Sequence, residues 1–321
     1  MLQSNRNKEI GLVRSKGLFV VAAVLAIVLA AGSVYAKPRH QKSYSTPEEA
    51  VKAMAAAVKA GNTQLLLKIF GPGSKALVLS GDPVQDKEGR DRFIKHYEEK
   101  NRLEEASGKA LLRLGNDDWP FPIPLVKTEK GWKFDTKAGR QEILARRVGR
   151  NELNAIQVCL AYVDAQKEYA MRKARQGKAL LEYAQEFAST PGKQDGLYWE
   201  AGEGQEQSPM GPLFAAAREG GYGGEPLGDQ PTPYHGYVYR ILKAQGKNAS
   251  GGSRDYVVEG KMIGGFALIA YPAKYGSSGV MTFMVNQNGV VFQKDLGKKT
   301  REAARTIMAF DPDETWKSVQ E

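Results

Sequence analysis

Five residues carry side chains suited to ligand binding and stand in sequence contexts typical of loops or turns. They are Trp119, Asp195, Tyr198, Trp199 and His235. All but Trp119 lie in or next to residues 189–233, a stretch rich in glycine and proline that also contains many aromatic residues. We predict that this stretch is an ordered, irregular loop, since it is too apolar for a free linker, and ordered loops commonly carry binding residues. For His235 the alternative is a hydrogen-bonded polar residue at the start of a strand.

An acid–base enzyme is the alternative to a binding protein. It would need a carboxylate and a second titratable group, such as His235 or a tyrosine, facing one pocket. The carboxylates available for this role in the first half are Asp82, Asp86, Asp117 and Asp118. The last two precede Trp119-Pro120, and because Asp and Pro both favour turns, we predict a turn there. The sequence contains no nucleophile elbow, zinc-protease motif, P-loop or dinucleotide-binding glycine motif.

The composition argues against metal centres, cofactors and nucleic acid. One cysteine and three histidines exclude an internal disulfide and make a histidine-rich metal site improbable. We expect Cys159 to be a packing residue, because its sequence neighbours are apolar. Calcium at Asp195 is a weaker alternative, since no D-x-D-x-D spacing surrounds that residue. The 46 Lys and Arg exceed the 36 Asp and Glu, but they do not interleave with aromatic residues as in nucleic-acid-binding proteins.

Residues 1–36 have the order of a secretory signal peptide. Basic residues precede the apolar run Leu18–Ala31, and small residues around Ala36 follow it. The run is 14 residues long, whereas a membrane-spanning helix needs about 20. We therefore predict export with cleavage after Ala36, with retention as a membrane anchor as the alternative. In either case the rest of the chain would be periplasmic or secreted, and without residues 1–36 its excess of basic residues falls from 10 to 7.

Residues 42–148 are predicted to form a small α+β domain. Thr46-Pro47 begins a helix that Gly61 ends, and Asn62 caps a second helix. A charged helix is predicted from Asp86 to about Ala106. Three strands should follow, at 110–114, 123–127 and 131–135, the last two joined as a hairpin. Residues 119–124 alternate with prolines and cannot form a central strand; they either pin Trp119 and Phe121 onto the core or form a docking surface.

Residues 149–321 are predicted to form a second α+β domain. Its long helix spans 151–173, with an apolar stripe made by Leu153, Ile156, Leu160 and Val163. An antiparallel meander should follow the irregular loop, and Asn288-Gly289 should form the turn between its last two strands. A helix over 299–309 would come near the end of the chain. The predicted fold class is therefore α+β, with a long helix packed on an antiparallel sheet.

Particular segments of the sequence resemble known families. The first half resembles the cone fold of nuclear-transport-factor-like domains, through STPEEAVKAMAAAVKAGNTQLLLKIFG and IPLVKTEKGWKFD. The second half resembles the head domains of type IV pilins and type II secretion pseudopilins, through NELNAIQVCLAYVDAQKEYA and GGFALIAYPAKYGSSGVMTFMVNQNGVV. Filament assembly is not expected, because another domain precedes the head-like helix.

The chain after residue 36 also resembles a bacterial exported family, domain-of-unknown-function family 2950, through NDDWPFPIPLVK, RRVGRNELNAI, KQDGLYW and GGFALIAYPAKYG. This resemblance implies no particular activity. We therefore expect an exported, non-enzymatic protein that binds or organises other envelope components. Its partner would be an envelope protein or surface component, and it would touch the membrane only through an uncleaved first segment. A periplasmic enzyme or small-ligand-binding protein with an Asp, His and aromatic pocket is the alternative.

Overall fold

The computed structural model describes residues 40–175, 177, 181–222 and 232–319. The predicted signal peptide, with its cleavage position after Ala36, lies outside these residues, as does part of the predicted irregular loop. The described residues belong to one compact unit, which starts at Pro38. No helix within the described ranges is long and apolar enough to cross a membrane.

The described part of the chain is mixed α+β, as predicted. Its helices are α1 (Pro47–Lys59), α2 (Thr63–Phe70), α3 (Lys75–Val78), α4 (Pro83–Glu99), α5 (Thr136–Arg175), α6 (Gly211–Glu219) and α7 (Thr300–Thr306). Its strands are β1 (Asn101–Ala106), β2 (Lys109–Leu114), β3 (Trp119–Pro120), β4 (Leu125–Thr128), β5 (Gly131–Phe134), β6 (Tyr237–Leu242), β7 (Ala244–Gln245), β8 (Arg254–Asp255), β9 (Val257–Val258), β10 (Lys261–Met262), β11 (Ala267–Pro272), β12 (Met281–Asn286), β13 (Phe292–Asp295) and β14 (Lys317–Ser318).

Helices α1 and α2 begin where the sequence signals place them. The Glu49 backbone N–H donates to Thr46 Oγ1 at 3.2 Å, and Pro47 occupies the first turn of α1. The Leu65 N–H donates to Asn62 Oδ1 at 3.0 Å. These side chains satisfy backbone donors that the first turn of a helix leaves without a helical partner. Helix α4 follows the same rule, because Asp82 caps it.

The predicted helix from Asp86 to about Ala106 is wrong in its last third. Helix α4 ends at Glu99, and the residues after it form strand β1. Strand β1 pairs in antiparallel register with β2, from Asn101 opposite Leu114 to Ala106 opposite Lys109. A tight turn with Ser107 and Gly108 at positive φ joins the two strands. Pairing with β2 thus overrides the helical propensity of the residues that form β1, and the local sequence does not reveal this pairing.

The first sheet packs against α1, α2 and α4 around one hydrophobic cluster. Its order is β1-β2-β4-β5, with β3 also paired to β2. The hairpin between β4 and β5 has the predicted position, with Thr128 opposite Gly131. In this cluster the Phe134 ring forms edge-to-face contacts with Phe70 and with Phe121, whose ring centroids lie 5.2 and 6.5 Å from its own. The prolines on either side of Phe121 therefore hold that ring against the core, which is one of the two alternatives predicted for residues 119–124.

Helix α5 is 40 residues long and runs from the first hydrophobic cluster into the second. This helix is predicted from the sequence, but it begins 15 residues before the predicted start, and the predicted buried stripe is partly wrong. Leu153 is 66% exposed, whereas Ala155, Cys159 and Tyr162 are fully buried. The small side chains Ala155 and Cys159 let the helix approach the sheet closely. Leu153 lies on the opposite, solvent-exposed face.

The second sheet is an antiparallel meander in the order β14-β13-β12-β11-β6. All six residues of β11 are buried, because this strand lies between β6 and β12 in the sheet. The turn at Asn288-Gly289 joins β12 to β13 as predicted, with Gly289 at a φ of +78°. Pairs such as Phe283 opposite Gln293 set the register of this hairpin.

The described part of the predicted irregular loop, residues 189–222, is ordered but more regular than predicted. Leu197 and Met210 are buried, and they anchor the segment in the second hydrophobic cluster. Helix α6 follows Met210, with Pro212 in its first turn, where its missing N–H costs nothing. The glycine and proline content concealed this helix from the sequence analysis.

Candidate functional site

The five candidate residues lie at three separate places. Trp119 lies on β3 at the first sheet, whereas Tyr198 and Trp199 are consecutive residues of the segment that precedes α6. Asp195 lies on a turn of that same segment, and His235 lies on the turn that precedes β6. Asp195, Tyr198 and Trp199 belong to one segment, whereas Trp119 and His235 lie on other parts of the fold. The five residues therefore do not form one cleft.

Trp119 is a surface residue. It is 40% exposed, and the Arg146 guanidinium of α5 lies 5.9 Å from its ring centroid. Its neighbour Phe121 packs into the core, so the pinning prediction holds for Phe121 and is wrong for Trp119. An exposed cation–π contact of this kind contributes about 0.5–1 kcal/mol. Trp119 thus stabilises the outer face of α5 modestly.

Asp195 has the geometry of a turn residue. Its Oδ1 accepts the Thr190 backbone N–H at 2.8 Å, and its Oδ2 accepts the Thr190 hydroxyl at 2.9 Å. Desolvation is the largest single effect on its pKa and raises it, but the hydrogen bonds from Thr190 together with the nearby Lys193 outweigh this effect and hold the pKa of Asp195 below its usual value. Within the described residues, no group of three His, Cys, Asp or Glu side chains could hold a metal ion.

Tyr198 is held by backbone and ring contacts. Its N–H donates to Phe187 O at 2.7 Å, and its carbonyl accepts from Ser189 N at 2.8 Å. Its ring stacks on Phe214 of α6, with centroids 4.3 Å apart and planes within 4° of parallel. The Arg218 guanidinium lies 5.2 Å from the Tyr198 ring centroid. Residues of α6 therefore fix the position of the backbone that presents Trp199.

Trp199 lines a cleft with a volume of about 320 Å³. We call it the Trp199 cleft; the other residues lining it are Tyr169, Arg172, Lys173, Gln194, Gln205 and Glu206. The Arg172 guanidinium lies 5.9 Å from the Trp199 ring centroid. The Trp199 indole Nε1 is buried and has no hydrogen-bond partner among the described residues. Since indole N–H groups usually find a partner when buried, this atom is an unused donor.

Helix α5 supplies one side of the Trp199 cleft. Tyr169, Arg172 and Lys173 are spaced by three and four residues and so share one helix face. Arg172 is oriented by neighbouring groups, since it donates to Gln207 O at 2.6 Å and pairs with Glu168. Burial raises the pKa of Tyr169 to about 12, so its hydroxyl stays protonated and donates to Gln194 O at 3.3 Å. These contacts fix the cleft wall before any ligand binds.

His235 lies in a tight turn at the start of a strand, the alternative that the sequence analysis gave for it. Tyr234 and Tyr237 exchange two backbone hydrogen bonds, of 2.8 and 3.1 Å, around His235 and Gly236. Both central residues have positive φ, +49° and +77°, as in a type I′ hairpin turn. The imidazole lies beside the rings of Tyr222 and Tyr234, with centroids 5.5 and 4.2 Å away. Burial lowers the pKa of His235.

Asp82 is the centre of a buried polar cluster, which we call the polar junction. Its Oδ1 accepts the N–H groups of Val84 and Gln85, both at 3.1 Å. Its Oδ2 accepts the Tyr222 hydroxyl and the Gly236 N–H, both at 2.9 Å. The residue is only 1% exposed. An ionised carboxylate offers about four lone-pair positions, and hydrogen bonds from the protein fill all of them.

Gln85 and Asn151 complete the polar junction. Their side-chain amides bond to each other, with Gln85 Nε2 donating to Asn151 Oδ1 at 2.7 Å and Asn151 Nδ2 donating to Gln85 Oε1 at 3.2 Å. Asn151 Nδ2 also donates to Ser278 O at 2.9 Å. These bonds join α4, α5 and the loop before β12. The polar junction therefore connects the helices of the first hydrophobic cluster to the sheet of the second.

The other sequence candidates have structural roles. Asp86 accepts the Ser80 N–H through both carboxylate oxygens, at 2.9 and 3.2 Å. Asp117 and Asp118 lie in the predicted turn, and Asp118 pairs with Arg102 at 3.0 Å. Cys159 is fully buried, and burial raises the pKa of its thiol to about 12. It is therefore a packing residue, as predicted.

Tyr222, Arg172 and Lys173 are not among the site residues predicted from the sequence. Tyr222 donates to a carboxylate 140 residues away, a contact for which the local sequence carries no signal. For Arg172 and Lys173 a signal exists, because their spacing from Tyr169 places all three residues on one face of a helix that the sequence predicts. What could not be predicted is that Trp199 would pack opposite that face.

Comparison with known proteins places the chain in a family. The family model described as "Protein of unknown function (DUF2950)" matches residues 41–319. Searches against curated proteins and against solved structures found no match. The pilin-like and cone-like resemblances of the two halves are therefore not confirmed. The family match covers most of the chain, and the protein belongs to the DUF2950 family.

Proposed function

We propose that this protein is exported and acts without catalysis, by binding another component of the bacterial envelope through the surface around Tyr198 and Trp199. One observation carries the proposal. The Trp199 cleft presents an aromatic ring and two cationic side chains on a wall that internal hydrogen bonds already fix. A preformed concave site with a few oriented polar groups is the usual form of a ligand site.

Export is supported by the sequence of residues 1–36, whose basic, apolar and small-residue regions follow the order of a signal peptide. On this proposal the chain is cleaved after Ala36, or is retained as an anchored protein, and acts outside the cytoplasmic membrane. Cell fractionation and N-terminal sequencing test it. Full-length chain in the envelope fraction, with a matched chain that lacks residues 2–36 in the cytoplasm, is the expected result. Full-length chain in the cytoplasm would contradict export.

An enzyme is the second candidate, because Asp82, Tyr222 and His235 do lie together in the polar junction. Burial and the Asp82 carboxylate raise the pKa of Tyr222, so its hydroxyl stays protonated and donates to Asp82. A general base needs a free lone pair directed at the substrate. Asp82 has none, since it already accepts four hydrogen bonds. This arrangement favours the binding function over the enzyme.

Site-specific photocrosslinking in cells tests the binding function. A benzophenone amino acid at Glu206, a lining residue of the cleft whose side chain is 71% exposed, leaves Trp199 in place and should give adducts with an envelope component. The same amino acid at Val258, which is 45% exposed on another strand pair, is the matched control. We expect adducts from position 206 alone. Equal yields from the two positions, or adducts from neither, would contradict a binding surface at the Trp199 cleft.

A further inference from the structure

Basic side chains surround the point at which the described chain begins. Gln41 Nε2 donates to Ile69 O and to Phe134 O, at 3.0 and 2.7 Å. The Lys42 backbone N–H donates to Lys68 O at 2.9 Å. The first described residues therefore lie between the end of α2 and the end of β5. Four exposed basic residues lie around this position, and we call them the basic face: Lys42, Lys68, Lys137 and Arg140.

Helix α5 contributes two residues to the basic face. The Thr136 hydroxyl donates to Phe70 O at 2.6 Å, which holds the first turn of α5 against the end of α2. The Arg140 guanidinium lies beside Gly73, 3.5 Å from the position that a Cβ would take there. The ends of two helices thus bring cations to one place, beside the first described residues.

Neighbouring carboxylates do not neutralise the basic face. Among the described residues, no carboxylate forms an ion pair with any of its four members. Asp135 accepts the Ala138 N–H at 3.2 Å, and Glu142 pairs with Arg146 at 2.5 Å. Glu49 accepts a backbone N–H just before α1. The basic face therefore keeps an excess of positive charge.

The other end of α5 has the opposite charge. Arg140 and Arg172 are separated by about 48 Å along the helix, at about 1.5 Å per residue. Hydrogen bonds from α5 hold residues 182–206 against this other end, and these residues include six acidic side chains and one lysine. With Arg172, Lys173 and Arg175 included, acidic residues still outnumber basic ones there. The charges of the chain are therefore separated along α5.

A charged plane orients a molecule whose charges are separated in this way. Bilayers that contain anionic lipids attract clustered Lys and Arg side chains and repel acidic ones. In the sequence, residues 32–39 connect the apolar run Leu18–Ala31 to the described chain, and Lys37 and Arg39 among them add positive charge. A chain retained by that run would therefore be tethered to the membrane at its basic end.

We propose that the basic face docks on an anionic lipid surface, with the Trp199 cleft held at the end of α5 that points away from the membrane. The contact adds to the one that an uncleaved first segment would make. The proposal goes beyond the proposed function, since it uses export but does not require the cleft to bind a ligand.

Vesicle flotation of the chain from residue 37 onward tests the docking. The probes are vesicles of phosphatidylglycerol and phosphatidylcholine in equal parts, and vesicles of phosphatidylcholine alone. We expect binding to the anionic vesicles only. Binding should weaken as salt is raised from about 50 to about 300 mM, because salt screens exposed charges. Binding to both kinds of vesicle, or to neither, would overturn the proposal.

Paired neutralising substitutions locate the contact. Lys68→Gln with Arg140→Gln should weaken binding to anionic vesicles about 25-fold, since each basic residue near such a surface contributes about fivefold. Lys261→Gln with Arg301→Gln removes the same charge at exposed positions in the second half, and binding should stay within about twofold of the parent. Both double variants should unfold at the urea midpoint of the parent. Equal losses of vesicle binding would mean attraction by net charge alone and would refute docking through the basic face.

Dyes at two introduced cysteines test the orientation. Cys159 is fully buried and should not react with the dye. Gln64→Cys places the dye at an exposed position one turn before Lys68 on α2, and Glu206→Cys places it at the Trp199 cleft. Vesicles that carry a nitroxide-labelled lipid should quench the first dye and leave the second unchanged, and equal quenching would refute the orientation. If vesicle binding fails while adducts from position 206 persist, membrane docking is wrong and the proposed binding function stands.

Discussion

The polar junction and the Trp199 cleft differ in how their polar groups are satisfied. Each draws an aromatic residue from the same irregular segment, Tyr222 for the polar junction and Trp199 for the cleft. In the polar junction, hydrogen bonds from four donors fill the acceptor positions of Asp82. In the cleft, the Trp199 N–H is left without a described acceptor. The polar groups of the candidate residues are thus fully paired in the polar junction and left unpaired at Trp199.

The difference follows from the cost of burial. A carboxylate that is 1% exposed would be strongly destabilising without compensating hydrogen bonds, so the fold must supply them. An unpaired buried indole N–H costs about 1–3 kcal/mol, and among the described residues the buried hydroxyl groups of Tyr44, Ser208, Tyr239 and Thr282 are unpaired as well. The fourfold pairing of Asp82 therefore indicates a structural role, whereas the missing partner of the Trp199 N–H does not by itself assign a function.

The largest expected effect comes from Asp82→Ala. It leaves the Val84, Gln85 and Gly236 N–H groups and the Tyr222 hydroxyl without their acceptor, and should lower the free energy of unfolding by about 3–5 kcal/mol. Urea unfolding followed by circular dichroism measures this change. Asp82→Asn should also destabilise the chain, because its NH₂ group faces donors. Asp117→Ala, an exposed turn substitution, should stay within about 0.5 kcal/mol of the parent. A similarly small loss for Asp82→Ala would refute the structural role of the polar junction.

Gly236→Ala should have the next largest effect. A Cβ at this position would lie 2.5 Å from Asn151 Nδ2 and 3.0 Å from Ser278 Cβ, at a φ of +77°. We expect a loss of about 2–4 kcal/mol from backbone strain and from displacement of Asn151.

Gly289→Ala is the matched control, since Gly289 has a φ of +78° but nothing within 4 Å of its Cβ position. It should lose only the backbone term, about 1 kcal/mol. The difference between the two variants isolates the contact with Asn151. Equal losses would show that the polar junction adjusts to the extra methyl group.

Local signals explain what could be predicted of the fold. Caps such as Thr46 and Asn62 act within three residues, so the sequence alone indicates the helices they begin. Strand β1 could not be predicted, because it depends on pairing with β2. The exposed face of α5 was misjudged because Leu153 is apolar but has no partner in the core. Small buried residues such as Ala155 gave too weak a pattern.

The candidate site was harder to predict than the fold. Tyr198 and Trp199 could be chosen from composition, because aromatic residues in an otherwise polar, glycine-rich stretch must pack somewhere. Asp82 was one of several candidate carboxylates, and nothing local distinguished it. Its decisive partner, the Gly236 N–H, is 154 residues away in sequence. Which polar group is satisfied depends on such distant contacts.

The pH dependence of stability gives a smaller effect at the edge of the polar junction. Burial lowers the pKa of His235, an effect that Glu88 and Asp82 oppose and Arg150 supports. Just below the ordinary value of about 6.5, the unfolded chain therefore binds more protons than the folded chain. His235 thus makes stability fall as the pH decreases from about 6.5 towards its folded pKa.

His235→Asn should remove this contribution, and Asn tolerates the positive φ of the turn. The slope of unfolding free energy against pH should differ between parent and variant by less than about 1.4 kcal/mol per pH unit, because the imidazole is partly exposed and screened by solvent. Urea titrations between pH 5 and 8 measure the slope. Parallel curves for the two proteins would show that His235 titrates alike in the folded and unfolded chains.

Trp199→Phe should have the smallest effect on stability. The substitution removes a partly exposed ring edge together with its unpaired N–H, so the lost packing and the relieved desolvation nearly cancel, and the change should stay within about 1 kcal/mol. Trp132→Phe is the control, since Trp132 is 6% exposed in the first hydrophobic cluster, and it should cost about 2 kcal/mol. Thermal and urea unfolding compare the two variants. A large loss at Trp199 would mean that the fold requires this indole as it requires Asp82, and the contrast between the cleft and the polar junction would disappear.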